Sequence, residues 1–63
     1  MSQVNGWYFN GVEQLPREIR NAEWEGKEVY TFRRVHEIHG VMWINVIASD
    51  GNEARKIIED VTK

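Results

Sequence analysis

The chain has 63 residues, with ten acidic against eight basic side chains, a net charge of −2, no cysteine and one proline. Two domains would hold only about thirty residues each, too few for independent cores, so one small domain over residues 1–63 is expected. No apolar run nears the roughly 18–20 residues of a membrane span, the first residues lack a secretory-leader profile, and without cysteine no disulfide or thiolate zinc site can brace the fold.

Taken from the N-terminus, Trp7 to Val12 reads as a short strand. Asn10-Gly11 within it is also a hairpin-turn dipeptide, which keeps a meander open. Pro16 suits the first turn of a helix, Leu15, Ile19 and Ala22 fall at helical spacing, and Gly26 would end it. The competing reading makes residues 19–25 a strand that turns at Glu25-Gly26. Glu28 to Ile38 and Val41 to Ser49 are rich in strand formers and read as a hairpin turning at His39-Gly40. Residues 52–62 read as a helix: Asp50 and Glu53 have capping-box spacing, and Ala54, Ile57, Ile58 and Val61 form one apolar stripe.

The preferred architecture is α+β, in the order strand, helix, strand, strand, helix. It is a shortened ferredoxin-like arrangement with a sheet of about three strands and both helices on one face. The alternative is a ββββα meander with a C-terminal helix.

The hairpin's parity decides what is buried. A two-residue turn at His39-Gly40 sets Ile38 against Val41, so that cross-strand partners have numbers adding to 79. One face then carries Val29, Thr31, Val35, Met42, Ile44, Val46 and Ala48, which match the helix stripe and form the expected core. The other carries Tyr30, Phe32, Arg34, His36, Trp43, Asn45 and Ile47. A four-residue loop keeps these sets, whereas a three-residue loop reshuffles them.

Seven aromatics, three of them tryptophan, are many for this length. A domain this small hides only about 60% of its chain surface, so some rings should stay exposed or be covered by a partner. The candidate binding site is therefore the ring-bearing face: Tyr30, Phe32, Trp43 and either Trp7 or Tyr8 as anchors, with Arg34, His36 and Asn45 directing hydrogen bonds. The plainer alternative is a solvated sheet face held by cross-strand aromatic pairs.

Metal and catalytic chemistry find little support. His36 and His39 would point to opposite faces of a strand, and only a turn at His39 could bring them together. Ser2 and Ser49 lack a triad pattern, no Gly-rich phosphate loop is present, and Glu23, Glu25 and Glu28 read as a solvated rim. No cofactor, metal or enzyme activity is expected.

Trp7-Tyr8-Phe9-Asn10-Gly11, His39-Gly40-Val41-Met42-Trp43-Ile44 and Glu53-Ala54-Arg55-Lys56 together resemble an RNA-recognition motif domain missing its last strand. Val41 stands where that family has a ring, and Met42 where it has a small residue. The resemblance implies aromatic side chains that stack on bases.

Two functions follow as expectations. The first is a non-enzymatic protein-binding module, a small regulator or inhibitor acting in the cytoplasm, with a homodimer as one form of contact. The second is a single-stranded RNA or DNA binder stacking bases on Tyr30, Phe32 and Trp43 beside Arg34. The acidic balance weighs against the second.

Overall fold

Asn5 and Gly6 both adopt left-handed backbone, at φ 51 and 88. That is the geometry of a tight two-residue hairpin turn, which Asn-Gly adopts at little cost. It joins β1 (Gln3–Val4) to β2 (Trp7–Gln14). The computed structural model describes residues 3–19 and 21–63. Two short 3₁₀ turns follow, Arg17–Ile19 and Ala22–Trp24, and then β3 (Glu28–His36), β4 (Gly40–Ala48) and α1 (Gly51–Val61). The strands form one antiparallel sheet in the order β1-β2-β3-β4.

This is the ββββα meander, not the shortened ferredoxin-like order. The described residues contain no first α-helix and no crossover, so they do not form the strand, helix, strand, strand, helix order expected from the sequence. Asn21 supplies one reason. Its side-chain oxygen accepts from the backbone N–H groups of Glu23 and Trp24, at 2.9 and 3.3 Å. That local capping starts a new turn where the expected helix should have continued. The side chain of Ile19 and all of Arg20, which the helix and strand readings both included, lie outside the described residues. Asn10-Gly11 is not a turn either; the β2–β3 register shifts between Phe9 and Gly11, a bulge within β2.

The hairpin differs from expectation by its loop. His36 pairs with Gly40, so three residues, Glu37 to His39, form the connection. The His36 Nδ1 accepts from the backbone N–H groups of Ile38 and His39, at 3.0 and 3.2 Å, and so ties the turn from within. Gly40 takes a φ of 76, which a residue with a Cβ rarely adopts. Partner numbers along β3 and β4 therefore add to 76, from Glu28 with Ala48 to His36 with Gly40.

Parity on β3 is consequently opposite to the expected one, while β4 keeps its expected inward set. The inner face, beneath α1, carries Trp7, Phe32, Val46 and Ala48, which pack with Ala54 and Ile58 in one buried cluster. Val4, Tyr30, Met42, Ile44 and Ile57 are half-buried against it. Val29, Thr31 and Val35 face the other way. The observed register sinks Phe32, which retains only 2% of its exposure, in place of a threonine and two valines. One buried ring removes more apolar surface than any of those side chains.

α1 is held at both ends. Asp50 Oδ1 accepts from the Glu53 N–H at 2.8 Å, as expected of the N-cap, and Glu53 Oε1 reaches back one residue beyond it to accept from the Ser49 N–H at 2.6 Å, a variant of the expected capping box. At the far end, the Asn5 side-chain amide donates to Thr62 Oγ1 at 3.1 Å and to the Glu59 carbonyl at 3.4 Å. The β1–β2 turn is thus fastened to the last turn of the helix.

Phe32→Ala should destabilise the fold by about 3–5 kcal/mol. Val35→Ala, at a position 67% exposed, should change stability by less than about 0.5 kcal/mol. Urea unfolding of the two variants checks this ordering, which the expected register would reverse.

Candidate functional site

Cross-strand pairing brings Tyr8, Arg33 and Trp43 into one row on the outer face, since Tyr8 pairs with Arg33 and Arg33 with Trp43. Tyr8 is 44% and Trp43 54% exposed. Two strand spacings separate their backbones, roughly 10 Å, with the guanidinium-bearing residue between them. The next row towards the loop adds Val35 opposite Val41, both exposed. On the other side, Thr31 faces Asn45, and the Thr31 hydroxyl donates to Asn45 Oδ1 at 2.9 Å. The result is an open apolar and aromatic surface with one cation at its centre.

Of the eight residues singled out from the sequence, Tyr8, Trp43 and Asn45 lie together on this face. The other five do not. Trp7 and Phe32 are sealed in the core, and Tyr30 is half-buried beside them. Arg34 sits on the inner face at the loop end, its side chain lying over Gly6, where an added Cβ would meet Nε at 3.3 Å. His36 is engaged in the turn. The physical reason is the same for Tyr30, Phe32, Arg34 and His36: one extra loop residue moved that whole set to the helix side. Arg33 and Val35 take their places, and their signal in the sequence was the three-residue loop itself, whereas Val41 lies on the outward side of β4 in either register.

A second aromatic group lies on the inner face, where α1 leaves the sheet uncovered. Phe9, 53% exposed, packs edge-on to Phe32 at 5.8 Å between centroids and tilted to Tyr30 at 6.2 Å. These rings, with Val4, Gly51, Asn52 and Arg55, line a groove of about 220 Å³. Burial, and then the carboxylates of Glu28, Asp50 and Glu53, hold the Tyr30 phenol above its ordinary pKa of 10.0.

The turn does bring the two imidazoles together, with ring centroids 4.6 Å apart. No group of three or more His, Cys, Asp or Glu that could hold a metal exists among the described residues, and no helix there is long and apolar enough to cross a membrane. No protein-family model, curated protein or solved structure matches the chain.

The Tyr30 environment has a checkable consequence. Its folded pKa lies above the unfolded value, so the advantage of the neutral phenol is intact below about pH 10 and is lost as pH rises through the folded value. Stability measured by urea unfolding should fall as pH increases beyond that point, and Tyr30→Phe should remove that part of the slope.

Proposed function

We propose that this chain is a non-enzymatic protein-binding module, a small regulator or inhibitor, that meets its partner through the outer sheet face. The observation carrying this reading is the exposed Tyr8–Arg33–Trp43 row with Val35 and Val41 beside it. Aromatic and Arg side chains are enriched where proteins recognise one another, because they combine contact area with directed polar atoms. A cation flanked by rings and valines is complementary to a partner that presents a carboxylate among apolar side chains. The guanidinium can pair with that carboxylate in two-pronged fashion while the rings exclude water around it. A cytoplasmic setting belongs to the same reading, since the chain relies on no disulfide.

Affinity capture from the native host with the wild-type chain, repeated with Tyr8→Ala, Arg33→Ala and Trp43→Ala, tests this. A specific protein partner should be retained by the wild type, and each substitution should weaken it by about tenfold or more, some 1.4 kcal/mol. Circular dichroism should remain unchanged, because all three side chains lie outside the buried cluster. Binding that survives the triple substitution in a folded chain would refute the outer-face reading. Capture of single-stranded nucleic acid instead, with affinity collapsing steeply as salt rises, would establish the base-stacking alternative on the same rings.

A further inference from the structure

The sheet has two edges, and they are built differently. On one side β1 is only two residues long, and β2 behind it is broken by the bulge between Phe9 and Gly11 and carries Glu13. Short strands, bulges and charges are the usual devices that stop a sheet edge from pairing with another. On the other side β4 runs for nine residues, Gly40–Ala48, without a charged residue or a proline. It pairs with β3 without a register shift, and among the described residues no strand pairs with its other side. α1 covers its inner face and leaves that edge free. Alternate N–H and C=O groups along β4 therefore point outward with none of the devices that guard the opposite edge.

From this asymmetry we infer that β4 is a self-pairing edge: two copies of the chain join their β4 strands antiparallel about a two-fold axis near Ile44, making one eight-stranded sheet. The chemistry of the strand selects the occupant. A charged partner strand finds no opposite charge along β4, whereas a second copy brings an uncharged strand of equal length, rich in β-branched residues. A two-fold makes the contact self-complementary and closes it at two copies. Such pairing would add on the order of eight backbone hydrogen bonds. It would also bring the Val41 and Trp43 side chains of both copies against the seam, with both helices on the same side of the sheet. This inference rests on the backbone edge and not on the outer-face reading, although Val41 and Trp43 border both surfaces.

Sedimentation velocity across micromolar concentrations, combined with amide hydrogen exchange on the wild-type chain, tests it. The expected result is a species of twice the chain mass in which all β4 amides are protected, since a free edge leaves every second one open to solvent. Val41→Lys with Asn45→Lys places like charges on the edge and should weaken association at least tenfold. Tyr8→Ala with Arg33→Ala should leave the dimer intact, which separates this contact from partner binding on the outer face. A monomer at every concentration would overturn the inference, and so would a dimer whose β4 amides still alternate between protected and open. The exchange pattern decides the matter even where the lysine variant fails to fold.

Discussion

The turn between β3 and β4 governs which side chains this small sheet can bury. His36 accepts two backbone N–H groups from within the loop, and Gly40 supplies the left-handed residue that starts the return strand. Together they fix a connection of three residues, and side-chain alternation carries that choice along the whole hairpin. Phe32 goes under the helix, Arg33 and Trp43 go to the open side, and Tyr8 joins them because β2 follows the register of β3. A connection one residue shorter or longer would exchange the two faces of one strand. In a domain with so few buried residues, no second core could compensate.

Much of the fold was legible wherever the signal was local. The C-terminal helix announces itself through Asp50, Glu53 and the stripe of Ala54, Ile57 and Ile58, and the Asp50 side chain caps the Glu53 N–H as expected while Glu53 reaches one residue further back, to Ser49. The inward set of β4 was legible too, since Met42, Ile44, Val46 and Ala48 have alternating neighbours and fit an apolar stripe. β3 was harder. Its two faces offer either Val29, Thr31 and Val35 or Tyr30 and Phe32 to the core, and both sets are plausible strand interiors. Only the loop distinguishes them, through a histidine acting as a turn cap in a role more familiar for Asn or Asp. The segment from Pro16 to Gly26 failed for a related reason: Asn21 offers its backbone a local hydrogen bond that a helical stripe this thin does not outweigh.

The candidate site inherits that error and its correction. Tyr8, Trp43 and Asn45 were found from composition and alternation, Val41 shares their outward parity on β4 in either register, and Arg33 and Val35 became visible only with the register. The corrected face keeps Asn45, now bonded to Thr31, and has the single guanidinium of Arg33 between two rings where Arg34 and His36 had been anticipated. The loop places Arg33 beside Trp43 on the face proposed for a partner, whereas the place of the uncharged β4 at the sheet edge follows from the meander order of the strands.

Proton nuclear magnetic resonance tests the loop's control of parity most directly, through cross-strand contacts between α-protons of β3 and β4 in non-hydrogen-bonded pairs, where the backbones approach to about 4.5 Å. The three-residue connection requires contacts drawn from the series that includes Thr31 with Asn45 and Phe32 with Ile44. Contacts of Phe32 with Ile47 and of Arg34 with Asn45 would contradict it, because they would place the Phe32 ring on the same side as Trp43.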